Sequence, residues 1–145
     1  MGRRGSLNVK VKFKIVEPVF ECVAWVFTGR AYGDIVKHAE KTYSYRIDEC
    51  PENGFNACVF PVLNRFAYVW FTEVPNEKTD DFVSLVYHEA GHVAFHMLNR
   101  LGAEKTVLEG HDEEVLLYLQ TFYAKNILDG LYKPKKKRLL KKAER

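Results

Sequence analysis

Cysteine is scarce in this 145-residue chain: Cys22, Cys50 and Cys58 are the whole complement, and no two stand in C-x-x-C spacing. An odd, scattered set argues against a disulfide framework and against a thiolate zinc knuckle. Long apolar runs are missing too. None approaches the roughly 20 residues of a membrane span, and the lysine-rich start has no apolar signal-peptide core. The expectation is a soluble cytoplasmic protein without membrane contact. No internal repeat is visible. The opening Met1-Gly2-Arg3-Arg4-Gly5-Ser6 formally fits the N-myristoylation pattern, and Gly5-Ser6 fits a cloning junction equally well.

What is present is apolar residues, at 47%, enough for the core of a single domain, and a lopsided charge distribution. Residues 1–14 carry five Lys/Arg and no acid, and residues 133–145 carry eight against one acid. That leaves 9 of the 22 basic and 18 of the 19 acidic residues to positions 15–132. An acidic domain over 1–132 followed by a basic, disordered tail over 133–145 is the simplest division.

Strict alternation in "NVKVKFKI" predicts a half-exposed, lysine-guarded strand at a sheet edge. "FECVAWVFTG", dense in β-branched and aromatic residues and closed by Gly29, predicts a second, more buried strand, with helix as its rival. "YGDIVKHAEKTY" has helical apolar spacing with Asp34 early and Lys41 late. "IDECPENGFNA" is a loop by its Pro51, Asn53 and Gly54. Two short strands follow, Cys58–Leu63 and Phe66–Val74, around an Asn64-Arg65 turn, with Pro61 placing the first at an edge. Thr79 caps a helix that Gly102 ends, and a last helix runs from about Asp112 to Leu128, ending at Asp129-Gly130.

The stretch "VYHEAGHVAFHM" lies well inside the Thr79-capped helix. His88 and His92 are one turn apart on one face, so both imidazoles can reach a single ion at about 2.0–2.1 Å. Glu89 lies about 100° around the helix from His88, beside the ion, where its carboxylate can take a proton from a metal-bound water. Gly91 leaves room for a neighbouring strand or backbone to approach. The plainer reading makes His88 and His92 hydrogen-bonded helix residues without metal.

Two histidines and a water leave tetrahedral zinc one protein ligand short. His96 shares the face but stands roughly 12 Å from His88 along the axis, too far to close the site. The last helix, folding back as an antiparallel neighbour, supplies "HDEEVLLYLQTFY". Glu114 shares a face with Tyr118, Thr121 and Phe122 that looks toward the core, where a carboxylate is costly unless something positive meets it. Glu114 is therefore the favoured third ligand, with Glu113, Asp112 and His111 as alternatives. Compensation of the helix dipole accounts for the acids as well.

His88-Glu89-x-x-His92 followed by a glutamate on the next helix resembles the gluzincin branch of the zincin metallopeptidases. The small size and "EEVLLYLQTFY" look like minimal zincin domains of the ImmA/IrrE type and of small phage-encoded proteins. The likeness is best over 66–124. It implies His88, His92 and Glu114 as zinc ligands and Glu89 as general base. A metzincin is excluded, since Leu98 and Phe95 stand where that class has His and Gly. The larger gluzincins' Asn-Glu-x-x-x-Asp signature is also absent, with Glu113 before the ligand and Tyr118 four residues after it. By the same resemblance, a strand before the active-site helix offers a free edge for an extended substrate. "FAYVWFTEV" is the candidate for that lip, although its aromatics fit a core role. Tyr118, Tyr87 and Tyr123 are the available oxyanion stabilisers, and Tyr118 is expected beside Glu89 as catalytic.

"KPKKKRLLKKAER" fits a solvated tail, a contact for nucleic acid or an acidic partner, or a nuclear-import signal. The combined expectation is an α+β, zincin-like fold. A small, twisted, mostly antiparallel sheet packs on the His88–His92 helix and on a second helix bearing the third ligand. The function expected is zinc-dependent hydrolysis of a peptide bond in a polypeptide substrate. The alternative is a non-catalytic, zinc-stabilised interaction protein whose tail binds nucleic acid or an acidic partner.

Overall fold

A computed structural model describes residues 11–29, 32–48, 56–103 and 111–132, together with the backbone of Ser6–Leu7. The loop 49–55, Cys50 and the basic tail 133–145 lie outside the described residues. The elements in chain order are β1 (Ser6–Leu7), β2 (Lys12–Glu17), β3 (Cys22–Thr28), α1 (Tyr32–Tyr43), β4 (Ala57–Pro61), β5 (Phe66–Phe71), β6 (Val74–Pro75), α2 (Asp80–Ala103) and α3 (Asp112–Tyr132). No helix among the described residues is long and apolar enough to cross a membrane.

Four strands form one sheet in the order β2-β3-β5-β4, and β1 pairs with β6 in a separate two-stranded ribbon. The sheet is mixed: β2–β3 and β4–β5 are antiparallel, while β3 and β5 run parallel from Val23↔Phe66 to Thr28↔Phe71. Two of its three pairings are antiparallel, in line with a mostly antiparallel sheet, and the β3–β5 pair is the parallel exception. Its origin is the crossover through α1, because parallel neighbours cannot be joined by a tight hairpin. β2 is an edge strand with Lys12 and Lys14 exposed, as the alternation requires.

Both faces of the sheet are covered. On one, Ala24, Val26, Ala67, Val69 and Phe71 pack with Val86, Ala90 and Val93 of α2 and Leu119, Tyr123 and Ile127 of α3. On the other, Phe27, Tyr68 and Trp70 pack with Ile35 and Ala39 of α1. β5 alternates between these two cores residue by residue, and Ala67 through Phe71 are all buried. Each large side chain so enclosed contributes roughly 1.5–3 kcal/mol. "FAYVWFTEV" is therefore a central strand, and the expectation that it forms a free lip is overturned. Among the described residues the outer strands of the sheet are β2 and β4, and β4 carries Pro61.

The Thr79 hydroxyl accepts from Phe82 N at 3.2 Å, capping α2 where expected. Asn64 turns the β4–β5 connection with φ 64°. Gln120 of α3 reaches Tyr87 of α2, while Tyr132 reaches Phe82, so the two helices run antiparallel.

α3 does not stop at Asp129-Gly130 but continues to Tyr132, whose hydroxyl donates to Pro75 O at 2.7 Å. Glycine at 130 serves here as space and not as a stop. A Cβ would lie 2.4 Å from the Phe13 ring of β2. Gly130→Ala should therefore lower stability by roughly 1 kcal/mol, because overlap of about 1–3 kcal/mol outweighs a helix-propensity gain of about 1. In a Phe13→Leu background the same change should stabilise. Denaturant unfolding of the four proteins checks the reversal of sign.

Candidate functional site

α2 lays three kinds of surface side by side. Val86, Ala90, Val93, Ala94 and Met97 form its buried stripe. His88 and His92 are on the exposed side, with their Nε2 atoms 3.1 Å apart and their rings nearly perpendicular at 82°. Glu89 lies between these two sides and is 6% exposed. Helix geometry alone produces this: 88 and 92 share a face, and 89 rotates toward the core.

Two nitrogens held about 2.0–2.1 Å from one tetrahedral ion stand roughly 3.3 Å apart, so the His88–His92 separation suits joint ligation. Glu89 supplies the electrostatics. Burial raises its carboxyl above the ordinary value, and His92 and then His88 oppose that rise. The carboxylate is thus a stronger proton acceptor than one in water.

Glu89, His92, His96 and Asn99 form one wall of a cleft of about 470 Å³, and Ala57, Cys58, Val59 and Pro61 of β4 form the other. His96 closes one end of it: its Nε2 is 3.1 Å from Phe66 O, and burial lowers the ring's pKa. That carbonyl contact gives His96 a positioning role between α2 and the β4–β5 turn, apart from the 88/92 pair. The Cys58 thiol is pushed up, first by burial and then by the charge of Glu89. No local pattern marks Cys58 or Asn99 as cleft residues. Pro61 did carry one, since proline within a strand implies an edge.

Glu114 is not grouped with the histidine pair. Its side chain is 82% exposed and its Oε2 is 3.5 Å from His111 Nδ1. The inward face expected for Glu114 is not the one α3 presents. The buried stripe of α3 runs through Leu119, Tyr123, Ala124, Ile127 and Leu128, leaving Glu114, Tyr118 and Thr121 on the outside. His111, Asp112 and Glu113 are exposed as well. Among the described residues, no three His, Cys, Asp or Glu side chains form a metal-holding group.

The space at Gly91 is used by a side chain, not by a strand or backbone. A Cβ there would lie 3.0 Å from Gln120 Nε2, which donates to Tyr87 O at 2.9 Å. Tyr118 is engaged elsewhere: its hydroxyl donates to Glu17 Oε1 at 2.7 Å and its ring meets Phe20 and Phe122, none of which lines the cleft. Desolvation and the Glu17 hydrogen bond push its pKa up to about 12. Tyr123 is fully buried and donates to Cys22 O at 2.8 Å, while Tyr87 is on the surface.

Glu17 is completely buried at the β2–β3 turn, where its carboxylate accepts from Val19 N at 2.6 Å and Phe20 N at 2.8 Å as well as from Tyr118. Tyr118→Phe should therefore cost about 1 kcal/mol of stability, and Glu17→Ala about 2–3, since the latter strands two amides and a hydroxyl. Because the residues share one network, the double variant should lose less than the sum of the singles. Additive losses in thermal or denaturant unfolding would show that the Tyr118–Glu17 contact carries no energy.

Compared with known proteins, the chain matches no family model, no curated protein and no solved structure.

Proposed function

We propose that the protein is a zinc-dependent metallopeptidase that hydrolyses a peptide bond with Glu89 as general base. One observation carries this reading. Two exposed imidazoles stand 3.1 Å apart, and the carboxylate that follows the first is buried in a cleft whose opposite wall is a sheet edge.

His88 and His92 would hold the zinc through the nitrogens that already face each other. When bound, it would polarise the scissile carbonyl and make a water acidic enough to give up a proton near neutral pH. The Glu89 carboxylate takes that proton and returns it to the leaving amine. β4 has a strand partner on one side only among the described residues, which suits an extended polypeptide adding along its outer edge. The apolar Val59 and Pro61 would meet side chains, while His96 and Asn99 offer polar contacts. Glu114, on the neighbouring helix, is the proposed third donor, and mutation tests its part.

The exposed His88–His92 pair admits a second reading, in which it holds a zinc ion without catalysis. The protein would then be a non-catalytic, zinc-stabilised module. Residues 133–145 would engage nucleic acid or an acidic partner.

The two readings separate on metal content and on Glu89. Protein purified without chelator should carry one zinc per chain, lost in His88→Ala and in His92→Ala and retained in His96→Ala. Glu114→Gln should weaken zinc affinity and lower Tm together, through metal linkage. Glu89→Gln should keep zinc and fold while losing cleavage of a peptide library by about 10²-fold or more. Full zinc occupancy with unchanged cellular effect in Glu89→Gln would sink the peptidase reading in favour of the module. A wild-type chain that folds without metal would remove both.

A further inference from the structure

On the sheet face opposite α2 and α3, a pocket of about 380 Å³ opens between α1 and β2. It stands apart from the histidine cleft, and the proposed hydrolysis makes no use of it. Three lysines from two elements border it: Lys12 from β2, and Lys37 and Lys41 one turn apart on α1. Val11 and the nearly buried Phe27 are its apolar lining, and the buried Thr28 hydroxyl beside them accepts from Val11 N at 2.8 Å.

The arrangement is electrostatically unfavourable by itself. Like charges at i and i+4 destabilise a helix, and Lys12 adds a third positive charge from the facing strand. Asp34 is the acidic residue of the lining. The ion pairs Arg46–Asp48 and His111–Glu114, found among the described residues, involve none of the three lysines. His38 does not add to the positive charge. Burial, then Lys12 and Lys41, lower its pKa, and its Nδ1 is hydrogen-bonded to the Tyr68 hydroxyl at 2.6 Å. Edge contacts with Trp25, Phe27 and Tyr68 hold the ring in place.

A solvated lysine edge accounts for Lys12 alone. It does not account for Lys37 and Lys41 meeting it around a concavity with an aromatic floor. Three ammonium groups against one carboxylate make the formal charge of the lining positive, which suits the multiply charged phosphate of a monoester. Lysine ammonium groups bind phosphate as point charges. The volume is near the small end of the range for small-molecule pockets, roughly 300–1,000 Å³. It suits one compact molecule and not a polymer lying along a surface.

We propose that this pocket binds a small phosphate monoester bearing a ring, with Lys12, Lys37 and Lys41 around the phosphate and the ring against Val11 and Phe27. The probes are the four common ribonucleoside monophosphates, inorganic phosphate and adenosine, titrated calorimetrically into the full chain at low salt. At least one mononucleotide should bind saturably at one site, inorganic phosphate should compete with it, and adenosine should not. Lys37→Ala and Lys41→Ala should each weaken binding about tenfold or more. Lys14→Ala, on the same strand but outside the pocket, should leave affinity within about twofold, since it lacks a phosphate contact. Lys37→Gln and Lys41→Gln keep the helix-compatible stem, so a loss of affinity with unchanged Tm reports charge and not folding. Absence of saturable binding by every probe would overturn the proposal. So would equal losses in Lys14→Ala, or an affinity for oligonucleotides that rises with length and ignores the position of the lysine removed. Zinc content and peptide cleavage play no part in this test, so it stands or falls independently of the peptidase reading.

Discussion

The double burial of β5 is the constraint on which the architecture depends. A strand whose every residue from Ala67 to Phe71 is enclosed must have hydrogen-bonding partners on both edges and apolar layers on both faces. The parallel pairing with β3 satisfies one edge and forces a crossover, which α1 supplies while covering Tyr68 and Trp70. The antiparallel pairing with β4 satisfies the other edge and leaves β4 outermost. α2 and α3 then cover Ala67, Val69 and Phe71. The position of the histidine-bearing helix and the identity of the sheet edge beside it follow from where β5 must lie.

This constraint explains what was legible in the sequence. Element types were readable because each leaves a local mark: alternation with lysines in β2, a Thr79 cap before α2, and turn chemistry at Asn64. Pro61 marked an edge, and an edge is where β4 lies. The pairing of strands left no comparable mark. "FAYVWFTEV" is nearly all apolar, and such a run is equally compatible with a lip of aromatics and with a strand buried on both faces. Only the long-range pairings with β3 and β4 distinguish them, and they make this strand central.

The same distinction governs the candidate site. His88, Glu89 and His92 lie within five residues on one helix, so their mutual placement follows from helix geometry and agrees with the observed 3.1 Å separation. Glu114 and Tyr118 belong to another helix, and their facing depends on how α3 rotates against α2. That rotation is fixed by Leu119, Tyr123 and Ile127, which α3 buries, and it turns Glu114 outward. In α3 the apolar residues nearly encircle the helix, so the periodicity was a weak guide to its rotation. The contact of Tyr118 with Glu17 spans 101 residues of sequence and could not be read from local pattern.

The fold supplies two unlike environments on opposite sides of one sheet. Toward α2, burial raises the carboxyl of Glu89 while its histidine neighbours pull it down, so basicity is set by the balance of desolvation and nearby charge. Toward α1, burial and two lysines lower the pKa of His38, and the lining remains positive through its ammonium groups. Desolvation acts in both places, but it favours a proton-accepting carboxylate in one and a neutral imidazole in the other. Trp25, Phe27, Tyr68 and Trp70 separate the two sides with aromatic bulk. The two sides are joined through the strand order that β5 imposes.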